Sequence, residues 1–341
     1  MVHLRIVVPS YQAEHALDLL NATPSVCNVI YLERAAHRPE GDVILCDVAR
    51  EDASVVISDL RELDIDREGS IALEKVDSQV SDFAHAAEKA AAGMPADAVI
   101  WEEVEARTSE EVELSATFVA FMVLAMLIAM VGIFTDQLLL IIGAVIVGPE
   151  FGPIAGLCVA AVQRRRPLAR RSFLALAVGF PAGMTVTFLA ALLIDGVGLI
   201  PDAYFDRTGH LFTQFISSPN EWSFIVAFLA GIAGMLSLTS AKSGALVGVL
   251  VSVTTIPAAA NIGVAAALGD WPEWRGAMEQ LSLNLAAILL AGIATLFIQR
   301  RLYLRRRVLH LRDEAREAAG LPLGRSRRAA GQTAATTVRP R

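Results

Sequence analysis

Six long apolar runs follow Ser115, and each is close to the roughly 20 residues that a helix needs to cross a bilayer. Apolar side chains make up 54% of the 341 residues and charged ones only 19%, a balance that is unusual for a soluble globular protein. The sequence therefore predicts an α-helical polytopic membrane protein. The six predicted transmembrane helices are Thr117–Thr135, Leu138–Val162, Ala169–Ile194, Trp222–Leu238, Ser243–Leu268 and Ala277–Gln299.

Basic residues are concentrated in alternate connections between these runs. The connections in question hold Arg164, Arg165, Arg166, Arg170 and Arg171 after the second run, Lys242 before the fifth, and an arginine-rich segment after the sixth. Because cytoplasmic loops of membrane proteins carry an excess of Lys and Arg, these connections are predicted to face the cytoplasm. Six spans with both termini in the cytoplasm satisfy every loop. We expect a multi-pass membrane protein.

The first 115 residues form a separate, acidic region with 24 acids and 9 bases, whereas the remainder has 12 acids and 20 bases. The opening residues lack the basic start and long apolar core of a signal peptide, so the N-terminus is expected to stay in the cytoplasm. Short β-type runs and amphipathic segments alternate there in the order βαββαβ. This order predicts an α+β ferredoxin-like domain, a fold that implies no activity by itself.

Composition divides the chain into five predicted segments. These are a ferredoxin-like cytoplasmic domain (1–80), a helical linker (81–115), a transmembrane domain (116–299), a basic amphipathic helix (300–319) and a disordered tail (320–341). The linker carries a cluster of glutamates at positions 102, 103, 105, 110, 111 and 113, which fits a solvated helix face better than a surface that docks on the basic loops. The basic helix would lie on anionic headgroups or on the acidic domain.

The second apolar run contains an ionisable residue between two helix-breaking dipeptides. Gly148 and Pro149 precede Glu150, and Gly152 and Pro153 follow it. Freed backbone groups survive in hydrocarbon only inside protein or beside a cavity. A charge near the middle of a span is costly and usually marks an ion or proton path, so we interpret Glu150 as functional. The alternative is a structural acid that lies near an interface or caps a half-helix.

The fifth run shows a related interruption. Pro257 falls near its middle, with Thr254 and Thr255 before it and Asn261 after it. These groups would coordinate a substrate or cation, or would bond back to their own helix. Spans one to three and four to six then form two halves, each with a broken middle helix. Such inverted 3+3 repeats are typical of secondary transporters, whose site lies between the breaks.

Catalytic and cofactor signals are lacking. The six histidines are scattered, and no P-loop, GxSxG or GxGxxG motif occurs in a suitable context. The three cysteines have no metal or disulfide spacing. We therefore predict that the protein is not an enzyme and holds no metal or cofactor.

The motifs of the membrane region resemble those of a prokaryotic membrane family, the uncharacterised hydrophobic domain or domain of unknown function 389. The similar stretches are IIGAVIVGPEFGPIAGLCVA, GIAGMLSLTSAKSGALVGVLVSVTTIPAAANIGVAAALG and LSLNLAAILLAGIATL, the last with Asn284. The family usually has a small or apolar residue at the place of Glu150, and often a double proline where this chain has Pro257-Ala258. The resemblance supports the fold and implies no substrate.

These observations lead to one main functional hypothesis and two rivals. The main hypothesis is a small-solute or ion transporter with a midplane site between the two breaks and a regulatory cytoplasmic domain. One rival is a membrane-anchored sensor or assembly scaffold whose soluble domain binds a ligand or partner, and the other is an oligomeric channel. The expected partners are the lipid bilayer, further copies of the chain and an unknown small solute or ion, and no nucleic acid.

Overall fold

The computed structural model describes residues 1–76, 78–91, 98–201, 204, 216–240 and 255–310, with side chains through residue 305. The chain forms two compact units. One contains Met1–Glu102 and the segment from Arg301 onward, and the other contains Glu103–Arg300. Both boundaries fall inside helices.

The N-terminal unit contains a small antiparallel sheet with helices between its strands. The strands are β1 (Val2–Val8), β2 (Val26–His37), β3 (Glu40–Val48) and β4 (Ser70–Lys75), in the spatial order β2-β3-β1-β4. The helices are α1 (Ala13–Asn21), α2 (Arg50–Glu62), α3 (Ile65–Glu68) and α4 (Asp82–Ala90). All four predicted strands and both predicted helices of this region are present.

One face of this sheet carries the core of the unit. Alternate residues of β1, beginning with Val2 and Leu4, are fully buried, as expected when successive side chains point to opposite faces of a strand. They pack in one cluster with Ala16 of α1 and Leu60 of α2. The helices therefore cover this face.

The hairpin between β2 and β3 is tighter than the sequence indicated. Residues 35–42 were expected to form a turn-rich connection, but β2 continues to His37 and β3 begins at Glu40. Their backbones pair as far as His37 and Glu40, and the register shifts at two irregularities along β2. The turn is reduced to two residues.

The last helix returns to the N-terminal unit after residue 300. Tyr303 packs edge-on against Trp101, with ring centroids 6.4 Å apart. The Tyr303 hydroxyl donates to the Ser54 carbonyl at 3.3 Å. The start of the predicted basic helix thus contacts the acidic domain, while residues 311–341, including the predicted tail, lie outside the described residues.

Within its described residues, the helical unit contains four single helices that are long and apolar enough to cross a membrane. These are α6 (Ala116–Phe134), α9 (Arg166–Gly196), α10 (Glu221–Thr239) and α12 (Trp271–His310), of which Trp271–Arg305 meets the criterion. They correspond to the first, third, fourth and sixth predicted spans. The preceding helix α5 (Trp101–Glu111) lies in the predicted linker, whose expected interruption at Gly93–Pro95 is outside the described residues.

The second predicted span is a bent pair of helices. It consists of α7 (Leu138–Val147) and α8 (Phe151–Gln163), which together are long and apolar enough to cross and are bent by 54°. The fifth predicted span is described only from Thr255, where it forms the shorter apolar helix α11 (Ile256–Ala267). The described residues therefore contain four candidate spans, or five if the bent pair is one span.

Helices α6, α9 and α11 run in the same direction. Gly179 of α9 lies against Phe118 of α6, and the later Gly183 lies against the later Met126. Glycines permit such close approach of two helices. Gly263 of α11 similarly meets the backbone of α9, where a Cβ would lie 2.8 Å from the Met184 carbonyl oxygen.

Helices α8, α10 and α12 run together in another set. Ile154 and Ile288 share one core cluster, and a Cβ on Gly292 would lie 2.8 Å from the Cys158 sulfur. The end of α10 meets α12 where Gln299 donates to the Thr239 hydroxyl at 2.8 Å. Because α7 follows α6 through a tight turn and packs antiparallel to it, this second set opposes the first.

Candidate functional site

The break between α7 and α8 is built from the predicted Gly148–Pro153 motif. The Gly148 amide donates the last bond of α7, to Ala144, and Pro149 has no amide to continue the ladder. Glu150 then caps α8, and its carbonyl accepts the first helical bond, from Ile154 at 3.1 Å. Pro153 lies within the first turn of α8, where a proline is tolerated.

The start of α11 meets this break. The Thr255 hydroxyl donates to Glu150 Oε1 at 2.9 Å, and both side chains are fully buried. Pro257 occupies the first turn of α11. A Cβ on Gly148 would lie 2.9 Å from Ile256 Cγ1, so the backbones approach closely beside this bond.

Three helix ends therefore converge on one carboxylate. Glu150 and Thr255 are the capping residues of α8 and α11, and helix N-termini favour a nearby negative charge. The carboxyl end of α7 stops at Gly148 and leaves its last carbonyls without helical partners. A carboxylate, a hydroxyl and backbone carbonyls in one buried place can hold a proton or a cation.

Asn261 does not join this site. It is buried one and a half turns beyond Thr255, and its amide donates to Glu273 Oε1 at 2.9 Å. The Glu273 backbone amide in turn donates to Asp270 at 3.2 Å. The structure thus joins Asn261, in the middle of α11, to the first turn of α12.

Asn284 lies on α12 beside a residue that the sequence interpretation missed. The Gln280 side-chain amide donates to Asn284 Oδ1 at 3.3 Å, and both residues are buried. The sequence could have indicated this pair, because two amide side chains four residues apart on an apolar helix lie on the same helix face and can bond to each other.

The first turn of α8 also receives the end of α5. A Cβ on Gly152 would lie 2.7 Å from Glu111 Cβ and 3.1 Å from Glu111 Oε2, so only a glycine admits this approach. Burial raises the pKa of the Glu111 carboxyl. Glu111 was predicted only as one of a solvated cluster, whereas it contacts Gly152, which lies two residues along the chain from the Glu150 cap.

The five arginines that were predicted to lie in one loop belong partly to helix α9. Arg166 begins α9, and Arg170 and Arg171 lie in its first turns, because Pro167 fits the start of a helix. Arg164 adopts a left-handed turn at the end of α8, and Arg165 forms an ion pair with Glu105 of α5. At least one glutamate of the linker therefore docks on the basic connection. Thr254 and Lys242 lie outside the described residues.

The helical unit thus has several helices that are long and apolar enough to cross a membrane, and the α7–α8 break contacts the start of α11. Residues 145–290 match the family described as "Domain of unknown function (DUF389)", which confirms the resemblance seen in the motifs. The chain is also 28% identical over 203 residues to an uncharacterised protein of Methanocaldococcus jannaschii, a match that covers 57% of this chain and 58% of that relative. No solved structure matches the chain.

Proposed function

We propose that the protein is a cation-coupled secondary transporter of a small solute or ion, with its site where the α7–α8 break meets α11. The observation that carries this proposal is the buried hydrogen bond from Thr255 to Glu150, which joins the two interruptions. Ionisable groups at such depth usually lie on ion or proton paths. Half-helix ends facing one another are the usual architecture of transporter sites.

The proposed topology has six spans and two cytoplasmic termini in a prokaryotic plasma membrane. The two opposed sets of three helices support it, since α6, α9 and α11 run against α7–α8, α10 and α12. The α7–α8 pair and α11 then run in opposite directions, as an inverted repeat requires. Arginines at the α8–α9 connection and the end of α12 give the orientation.

The N-terminal unit is proposed to be a ferredoxin-like regulatory domain. Its strand order β2-β3-β1-β4 with crossing helices supports this assignment. Regulation would act through α5, whose Glu111 lies over Gly152 and whose Glu105 pairs with Arg165. We further propose that the protein forms a homo-oligomer, and that it has no enzymatic activity, no cofactor and no nucleic-acid partner.

A second candidate function, a ligand sensor, is favoured by a polar cavity in the N-terminal unit. The cavity has a volume of about 170 Å³. It is lined by Ser78, Gln79, Ser81, His85 and Glu88, among others. Hydroxyl, amide, imidazole and carboxylate groups in one pocket suit a small polar ligand. Such a cavity would equally serve a regulatory domain that binds a ligand and controls a transporter.

A flux measurement separates these functions. The full chain is reconstituted into vesicles of phosphatidylethanolamine and phosphatidylglycerol, with an imposed sodium or proton gradient. Radioactive sodium uptake and a trapped pH dye report the two cations. We expect saturable movement of at least one cation above protein-free vesicles. Equal rates with and without protein would contradict transport and favour the sensor, whereas unsaturable flux would favour an oligomeric channel.

A further inference from the structure

A buried amide oxygen lies on the face of α12 that packs into the helical unit. Gln280 is 4% exposed, and its amide nitrogen is engaged with Asn284. Its Oε1 atom has no hydrogen-bond donor among the residues that the structure describes. Native proteins rarely bury an amide oxygen without a hydrogen-bond donor, because the oxygen then loses its bonds to water and gains none in return.

The register between α8 and α12 brings Asn284, to which the Gln280 amide is bonded, to the level of Glu150. The two helices run in the same direction, with Ile154 beside Ile288 and, one turn later, Cys158 beside Gly292. The two residues of each pair are separated by the same number of positions in the sequence, so the register between the helices is constant. One turn earlier, the same register places Asn284 of α12 beside Glu150 at the start of α8.

Helix α11 approaches the same part of α12. Leu281 of α12 and Ile256 of α11 belong to one core cluster, and Leu285 packs against it. Gln280 directly precedes Leu281 in the sequence, and Thr255 directly precedes Ile256. Asn284 thus lies level with the carboxylate that Thr255 contacts, and the Gln280 amide reaches Asn284 from the preceding turn of α12.

We infer that Glu150, Thr255 and Gln280 bind one sodium ion, an inference that rests on the proposed function and names its coupling cation. Hard cations take oxygen ligands, and all three side chains supply them. A single carboxylate offsets a single positive charge, which favours a monovalent over a divalent ion. A proton would need only the carboxylate and would leave the Gln280 oxygen without a role.

The test is sodium-dependent stability of the purified full chain in detergent. Melting temperature is measured against sodium chloride, with choline chloride keeping the ionic strength constant. A ligand at concentration c that binds only the folded state stabilises it by RT ln(1 + c/Kd), so the melting temperature begins to rise near the Kd and then climbs with the logarithm of the ligand concentration. We expect such a rise with sodium for the natural chain. For Gln280→Met we expect the rise to begin at an at least about tenfold higher sodium concentration, which corresponds to a loss of about 1.4 kcal/mol in binding.

Two further variants separate coordination from packing. Gln280→Glu keeps an oxygen at this position and should retain the sodium effect. Gln299→Met removes another amide of α12, the one that bonds Thr239, and should leave the sodium affinity unchanged. If Gln280→Met does not fold, Thr255→Val removes the hydroxyl of the same site and should weaken the sodium affinity, and an unchanged affinity in that variant would overturn the inference.

A melting temperature that does not respond to sodium, or an unchanged affinity in Gln280→Met, would overturn the inference. Proton-driven flux without any sodium effect would also remove it, and would leave the proposed transport standing. Sodium stabilisation without flux of either cation would support the ion site and contradict transport.

Discussion

Glu150→Gln should reduce gradient-driven cation flux in proteoliposomes by at least about tenfold, equivalent to about 1.4 kcal/mol in the barrier. Glutamine matches the size of glutamate and can still accept the hydrogen bond from Thr255, so the packing around the two breaks is retained. What disappears is the negative charge on which helices α8 and α11 converge. The initial rate of cation uptake, normalised to the amount of reconstituted protein, measures the effect.

Glu279→Gln is the matched control for this experiment. Glu279 is an exposed acid of α12, so its substitution removes one carboxylate without touching the buried site. Flux should stay within about twofold of the natural rate, because exposed charges contribute little. Unchanged flux in Glu150→Gln, or an equal loss in both variants, would exclude Glu150 as the coupling carboxylate.

The second large effect is expected for Gly148→Leu. A Cβ at this position would lie 2.5 Å from Glu150 Oε2 and 2.9 Å from Ile256 Cγ1. The leucine must displace α11 or the Glu150 side chain, at a cost of about 1–3 kcal/mol for overpacking. We expect loss of flux together with a lower melting temperature of the purified chain.

Gly143→Leu provides the comparison within the same helix. Gly143 lies five residues earlier in α7, and no atom lies within 4 Å of a Cβ placed there. This variant should keep both flux and melting temperature, since leucine is the better helix former. If the two variants behaved alike, the close approach of α7 and α11 at Gly148 would be refuted.

Much of the architecture was predictable because it depends on local patterns. The alternation of apolar and polar residues in Val2–Val8 predicts a strand, and a long apolar run such as Ala116–Phe134 predicts a helix. Neither prediction needs tertiary information. The bend at Gly148–Pro149 follows from the missing proline amide. The start of α9 at Arg166 was missed because five arginines suggested a loop, whereas Pro167 fits a helix start.

The partners within the site were not predictable from local patterns. Thr255 bonds Glu150 across more than a hundred residues of chain, and only the packing of α11 against α7 brings them together. Asn261 fitted the same polar pattern but turns toward Glu273. Glu111 lay in a segment whose pattern indicated solvation, so its position beside the start of α8 could be found only from the packing of whole helices.

The most direct test of the account is a double-substitution cycle on gradient-driven flux. Thr255→Val removes the hydroxyl without changing the shape of the side chain, and Glu150→Gln removes the charge that it contacts. If both side chains form one site, Thr255→Val alone lowers the flux, and the double variant is no slower than Glu150→Gln alone. Losses that multiply in the double variant, or a Thr255→Val rate equal to that of the natural chain, would contradict a single site at the meeting of the two breaks.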